Sequence, residues 1–372
     1  MPKQYHVRNY DFILIFFSLA IAIYGVVIIG SARESVQFRQ IVGLGIGFVA
    51  MVALSLIDYR SLLNFYWFYY FLSIILLLSV KVLGRTVGGA TRWIEVAGVR
   101  FQPSETVKFL LILFFAKFIM ERKRRMNRLR TLGFAGVLFL IPWYLVYDEP
   151  DLSTSIVLMA IFLTMMFIGG LSWKVILGVL AVAVPILVLG LMLILQPDQE
   201  LIKGYQQTRI LAWLQPDKYA NEEGYQQQNS IVAIGSGQLM GKGYKNNEVG
   251  SVKNGNFISE PQTDFIFAIV GEELGFVGCM AILILDLLII IETLRIGWSS
   301  SDLAGTLIAS GVAAHVGFQT FLNIGVTTGL MPNTGLPLPF VSYGATSLVS
   351  LFMELGVVLN VGLFRIRENA RF

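Results

Sequence analysis

Apolar stretches close to 20 residues long recur along most of the chain, separated by shorter polar or charged segments. About ten can be delimited, at residues 12–29, 41–57, 62–80, 106–120, 132–147, 156–170, 175–195, 265–291, 303–322 and 342–363. A helix needs roughly 20 residues to cross a bilayer's hydrocarbon layer. Lipid offers backbone N–H and C=O groups no partner, so such runs cross as helices. The pattern predicts an all-α integral membrane protein of about ten transmembrane helices, organised as a single domain over residues 1–372. The first run is read as a retained anchor. Its apolar stretch is too long for a signal peptide and no A-x-A cleavage pattern follows it.

Composition agrees with the pattern. Charged residues make up 14% of the 372 positions, hydrophobic residues 55%, and the mean hydropathy is +0.69. A soluble domain carries roughly 25% charged residues. A disordered chain, a disulfide scaffold and an ordinary cytosolic enzyme are thereby excluded. The single cysteine, Cys279, allows no internal disulfide, and two histidines cannot by themselves build a zinc site. No basic, aromatic-interleaved patch suggests nucleic-acid binding.

The net charge of +4 is small, and the positions of the basic residues are more informative than their sum. With the N-terminus inside, the inner segments hold Lys3, Arg8, Arg60, the cluster Arg122, Lys123, Arg124, Arg125, Arg128 and Arg130, then Lys174, Arg295, Arg365, Arg367 and Arg371. Basic residues in short loops face the cytoplasm. Both termini inside, with an even number of spans, is the consistent topology.

Two outer segments then stand out. Residues 84–105 are Gly-rich and carry Arg85, Arg92, Trp93 and Arg100. Residues 196–263, between the seventh and eighth runs, form a long extracytoplasmic loop of about 68 residues, far above the usual connection length. Its stretches Ile210-Leu211-Ala212-Trp213-Leu214 and Ser230-Ile231-Val232-Ala233-Ile234 predict short helices on the outer membrane face. Gly235-Ser236-Gly237-Gln238-Leu239-Met240-Gly241-Lys242-Gly243 has neither dinucleotide-binding nor Walker spacing and is read as a turn.

Candidate chemistry concentrates where runs begin. Glu260-Pro261-Gln262-Thr263-Asp264-Phe265 leads into the eighth run, and Pro261 sets a helix start at which Thr263 or Asp264 is expected to cap. At 100° per residue, Asp264, Ala268, Gly271, Gly275 and Gly278 fall within about 40° of one line, a small stripe open to another helix or a ligand. Asp264 is therefore a cap, a catalytic carboxylate, or both. Glu272 is expected to share the interior and Glu273 to point away; pairing with basic residues is the plainer role for either. In Gln102-Pro103-Ser104-Glu105-Thr106-Val107-Lys108, Glu105 and Lys108 are i,i+3 neighbours. They form an ion pair, or else Lys108 faces a cavity and meets an anionic group. Arg92 beside Trp93 suits a phosphate or a sugar face, unless Arg92 is a solvated loop residue. Glu149-Pro150-Asp151-Leu152 reads as a helix start, and His315 as a hydrogen-bonded core residue.

Four motifs in this order resemble the SEDS family (shape, elongation, division and sporulation). They are Gly89-Ala90-Thr91-Arg92-Trp93-Ile94 running to Gln102-Pro103-Ser104-Glu105 and Lys108; Glu149-Pro150-Asp151-Leu152; Thr263-Asp264-Phe265-Ile266-Phe267-Ala268 running to Glu272-Glu273-Leu274-Gly275; and Gly335-Leu336-Pro337-Leu338-Pro339-Phe340-Val341-Ser342-Tyr343-Gly344. The likeness covers nearly the whole chain. Two small departures stand out. Glu149 and Ser153 replace the family's usual Gln and Gly, and Ala345-Thr346 replace its Gly-Ser.

The resemblance implies a peptidoglycan glycosyltransferase that polymerises lipid II outside the bacterial cytoplasmic membrane, working with a class B penicillin-binding protein. It implies Asp264 as the essential residue and Arg92, Glu105 and Lys108 as functionally important; these three, together with Trp93, Thr263 and Ser342, are expected at the substrate. Lipid II is an undecaprenyl-pyrophosphate-linked disaccharide pentapeptide. Attack of a sugar hydroxyl on its anomeric carbon needs a base and positive charge on the departing pyrophosphate. Asp264 is the expected base; a divalent cation, Mg²⁺ or Mn²⁺, is the alternative it would ligate. No protein-held metal is otherwise expected. Two rival functions are a lipid II flippase and a non-catalytic scaffold. Glycan strands formed from lipid II in detergent would separate an enzyme from both.

Overall fold

The computed structural model describes residues 9–87, 90–96, 99–149, 151–194, 204–215, 218–219, 224–245, 250–251, 254–255 and 257–364. Of the residues named above, Lys3, Arg8, Gly89, Pro150, Arg365, Arg367 and Arg371 lie outside this set. Helices dominate: α1 Phe12–Ala32, α2 Glu34–Leu56, the short α3 Tyr59–Leu63, α4 Tyr66–Leu83, α5 Pro103–Arg122, α6 Leu129–Asp148, α7 Leu152–Ile168, α8 Trp173–Ile194, α9 Gly204–Leu214, α10 Tyr225–Ser236, α11 Ile266–Trp298, α12 Leu303–Thr327 and α13 Ala345–Leu363.

Each of the ten apolar runs coincides with one long helix: α1, α2, α4 to α8, and α11 to α13. Among the described residues, seven of these are long and apolar enough to cross a membrane: α1, α2, α4, α6, α11, α12 and α13. The chain is a multi-pass membrane protein. Helix α7 is 17 residues long, and α5 carries Glu105, Lys108, Lys117, Glu121 and Arg122 within its 20 residues.

Burial separates the helices into two classes. The central helix α12 packs against α5, α7, α11 and α13, and α13 also packs on α2. Of α5, the side chains from Val107 to Ala116 are buried without a break. Helices α1, α2, α4 and α6 instead turn large apolar residues outward, among them Phe16, Ile46, Phe68 and Phe134. Outward apolar faces are the expected arrangement where the solvent is lipid, and polar side chains then collect in the centre.

One segment departs from the expectation of a loop. Within residues 84–105 the chain makes a small antiparallel sheet, β1 Arg85–Val87, β2 Ala90–Val96 and β3 Val99–Phe101, in the order β1-β2-β3. Arg85 pairs with Trp93, and Ile94 with Phe101. The signal was present: β-branched and aromatic residues at Thr91, Trp93, Ile94 and Val96, with Gly88-Gly89 and Ala97-Gly98 as two-residue spacers in the sequence.

Helix α11 departs differently. At 33 residues it would be about 50 Å long, well beyond a hydrocarbon layer of about 30 Å. It is interrupted at Gly275, whose φ of 64° and ψ of −158° suit glycine alone. The stretch read as a simple turn repairs this break. Lys242 N donates to Glu272 O and Gly243 N to Glu273 O, while Phe276 N donates to Gln238 O and Val277 N to Leu239 O. The small stripe on α11 is thus covered by protein: a Cβ on Gly271 would stand 2.9 Å from Ile234 of α10, and one on Gly275 2.4 Å from Gly241 N.

Candidate active site

Three segments converge at one end of the bundle. Asp151 sits at the N-cap of α7, where its side chain accepts from Thr154 N at 3.1 Å, as the helix-start reading anticipated. It also receives Gln102 Nε2 from the start of α5 at 3.1 Å and pairs with Arg92 of β2 at 3.6 Å. One cap therefore anchors the sheet and two helices. Opposite, Asn323 of α12 donates to the backbone oxygens of Asp264 (2.8 Å) and Leu336 (2.6 Å). Gln319 Nε2 donates to Pro337 O at 3.0 Å. Ser342 Oγ donates to Thr263 O at 2.6 Å and accepts from Leu338 N at 2.7 Å. These bonds pin the irregular stretch before α13 against the start of α11.

Between these segments lies a cavity of about 720 Å³. Of the residues expected at the substrate, Arg92, Trp93, Glu105, Thr263 and Asp264 all line it. Asp264 is not a cap. The N-cap of α11 is Phe265, and among the described residues no side chain bonds the free N–H groups there. Among the described residues the Asp264 carboxylate takes no hydrogen bond and lies open to the cavity. Burial raises its pKa to about 6, an effect that the charges of Arg92 and Arg209 partly oppose and those of Glu260 and Asp151 reinforce. Gly335 faces this carboxylate. Its φ is +72°, and a Cβ there would stand 3.2 Å from Asp264 Oδ2.

The matching family profile is that of the FtsW/RodA/SpoVE cell cycle proteins, and it covers residues 7–366. The chain belongs to that family. Relatives include the Escherichia coli K12 protein named peptidoglycan glycosyltransferase MrdB, 36% identical over 93% of this chain and 92% of that protein. Stage V sporulation protein E of Bacillus subtilis is 33% identical over 95% of this chain and 97% of its own length. A chain from a structure described as structural coordination of polymerization and crosslinking by a peptidoglycan synthase complex superposes with a TM-score of 0.78 at 32% identity, covering 95% and 97% of the two chains. The rod shape determining protein RodA of Thermus thermophilus gives 0.70 at 29% identity, covering 96% and 98%.

Not every residue carried over from the SEDS resemblance reaches the cavity. Lys108 is fully buried beneath it, 2.7 Å from Glu105 Oε1 and 2.6 Å from Gln319 Oε1, so the ion-pair alternative is the one realised. Ser342 is a backbone clamp, as its two bonds show. Glu272 does not face the cavity: it is buried against Lys242 Nζ at 3.1 Å and Ser251 Oγ at 3.3 Å. Nor does Glu273 point away into lipid, since it is buried and accepts from Ser31 Oγ at 2.6 Å and Lys245 N at 3.3 Å. Among the described residues, no group of three or more His, Cys, Asp or Glu side chains could hold a metal ion.

The sequence reading missed Arg209, Gln226, Ser259 and Tyr343, which also line the cavity. Arg209 sits in α9, directly before the amphipathic stretch noted above, and a cation at that edge was the available signal. Helix α9 is tied down by Trp213 Nε1, which donates to Gly329 O at 3.0 Å. Helix α10 is held by Ser230 Oγ and Gln227 Nε2, which donate to Thr327 O and Val326 O. Both short helices therefore dock on the end of α12.

Proposed function

We propose that this chain is a peptidoglycan glycosyltransferase that polymerises lipid II in the cavity around Asp264. The observation that carries the reading is an aspartate with no hydrogen-bond partner among the described residues, facing a cavity that also holds Arg92 and Arg209. A carboxylate so placed is free to act as a base, and the two guanidiniums suit a pyrophosphate, for which arginine provides paired donors.

In this reading a sugar hydroxyl gives its proton to Asp264 and its oxygen forms the new bond to the anomeric carbon. The bond from that carbon to the pyrophosphate oxygen breaks, and the leaving group keeps the electron pair beside Arg92 and Arg209. A single displacement inverts the anomeric configuration. Trp93 offers a ring face for a sugar. The names borne by the relatives, peptidoglycan glycosyltransferase MrdB above all, support the same chemistry.

The cavity opens at the N-terminal end of α5, whereas the basic residues 122–130 follow its C-terminal end. With that cluster on the cytoplasmic side of the bacterial cytoplasmic membrane, both termini are cytoplasmic and the site faces outward. A class B penicillin-binding protein is the proposed partner, supported by the similarity to a chain of a complex that coordinates polymerization and crosslinking. A divalent ion, Mg²⁺ or Mn²⁺, fits only as a companion of the pyrophosphate, with Asp264 as its carboxylate contact, because magnesium is commonly held by one or two carboxylates plus substrate phosphates.

The test uses the purified chain with lipid II in detergent, with and without the penicillin-binding partner, in EDTA and with added Mg²⁺ or Mn²⁺. Glycan strands are expected from wild type and not from Asp264→Asn. Strands from Asp264→Asn at the wild-type rate would remove the assignment, and flipping confined to sealed vesicles would favour a transporter.

A further inference from the structure

Below the cavity floor a chain of polar side chains continues into the centre of the bundle. Ser347 Oγ donates to Glu105 Oε2 at 2.6 Å, and Lys108 Nζ donates to Glu105 Oε1 at 2.7 Å and Gln319 Oε1 at 2.6 Å. His315 Nε2 lies 2.9 Å from that same Gln319 oxygen, and His315 Nδ1 lies 2.8 and 3.0 Å from the two oxygens of Glu354. Glu105, Lys108, His315, Gln319 and Glu354 are all buried to 1% exposure or less.

The bonding pattern fixes a proton. Gln319 Nε2 donates to Pro337 O, so its Oε1 is the acceptor for both Lys108 and His315. Nε2 of His315 must then carry hydrogen. A neutral imidazole has hydrogen on one nitrogen only, which leaves Nδ1 bare and facing a carboxylate. Two bare acceptors 2.8 Å apart repel, so the pair holds one further proton, on Nδ1 or on Glu354. With that proton the histidine–glutamate pair is net neutral, as is the Glu105–Lys108 pair. Neutrality is what such deep burial favours.

We infer that His315 and Glu354 are positioning residues for the glycosyl transfer: sharing one proton, they aim the Gln319 oxygen at Lys108, which holds Glu105 and Ser347 in place on the cavity floor. The inference rests on the functional reading of the cavity given above. His315 and Glu354 do not touch the cavity and act through Gln319 and Lys108.

The test has two parts, both on the full chain in detergent. Histidine-specific ¹⁵N labelling of the His6→Ala chain leaves His315 as the only signal. Its Nε2 is expected to carry hydrogen, and its resonances are expected to move when lipid II is added to the Asp264→Asn form. A bare Nε2, or resonances indifferent to lipid II, overturns the proposal. In polymerisation assays, Glu354→Leu and His315→Leu are expected to lower the rate at least tenfold. Glu354→Gln, whose amide can donate to Nδ1 without a shared proton, is expected to recover to within about threefold of wild type. Wild-type rates in both leucine variants, or no recovery with glutamine, overturn it. Polymerisation by Asp264→Asn would instead sink the functional reading, while the nitrogen spectra would still report the shared proton.

Discussion

Two carboxylates face the same cavity from two helix starts, each preceded by a proline, and they meet opposite fates. Glu105, on α5, is bonded by Lys108 and Ser347, with Gln319 and His315 behind them. Asp264, just before α11, has its backbone fixed by Asn323 while its side chain is left without a hydrogen bond among the described residues. A carboxylate whose oxygens are already committed is held still; one whose main chain is pinned and whose oxygens are free can accept a proton or an ion. The comparison separates a hydrogen-bonded floor from a rim carboxylate without such bonds among the described residues, although both residues are acidic, partly or wholly buried and close to arginine or lysine.

The largest effect expected to sharpen this contrast is on rate. Asp264→Asn should lower polymerisation about 10²–10⁴-fold, the usual contribution of a positioned base, with thermal unfolding at or above the wild-type temperature. A parallel loss of stability would mean that Asp264 is structural after all. Breaking the floor should do the reverse. Lys108→Met leaves Glu105 buried without its ion-pair partner and is expected to cost about 3–5 kcal/mol of stability, read by thermal denaturation. The pair Lys108→Met with Glu105→Gln should recover part of that loss.

Charge state gives the next test. With its pKa raised to about 6, Asp264 is largely protonated below that pH, so the rate should climb as pH passes through about 6 and level off above it. The sign for stability is opposite. The folded state holds this proton more tightly than the unfolded chain does, so the contribution is present at low pH and is lost as pH rises from about 4 to about 6. Asp264→Asn should flatten both curves. A rate profile without that limb in wild type would remove Asp264 as the base.

On the rim, Arg209→Ala should weaken lipid II binding by about 1.5–3 kcal/mol, the usual worth of a hydrogen bond to a charged group, seen as a raised KM. The smallest effect is expected at Glu149. Both its oxygens are buried without a hydrogen bond among the described residues, and burial, reinforced by the charge of Asp151, lifts its pKa to about 8 despite Arg92 and Lys81. Its stabilising proton is lost as pH rises toward 8, so Glu149→Gln should be modestly more stable than wild type above pH 8, and the gap should close toward pH 5. A gap independent of pH would contradict the raised value.

Periodicity and composition alone determined that the chain is a bundle of membrane-length helices, because a run of about 20 apolar residues has few other solutions in lipid. The Pro-containing starts of α5 and α11 likewise marked Glu105 and Asp264 as candidates. Sequence spacing could not tell the committed carboxylate from the free one. That depends on Gln319, Asn323 and His315, which lie about 50 residues or more from Asp264 and more than 200 from Glu105 along the chain. His315, Gln319, Asn323 and Thr327 recur every four residues and so share one face of α12, but their spacing does not name their partners on α5, α13 and the stretch before α13. The break at Gly275 was hidden for a similar reason. Glycine in an apolar run is equally consistent with close helix packing, and only the stretch around Gln238 to Gly243, folding back to bond the interrupted turn, makes the break affordable. Local sequence set which segments become helices; long-range hydrogen bonds decided that the Glu105 side chain is held while, among the described residues, that of Asp264 is not.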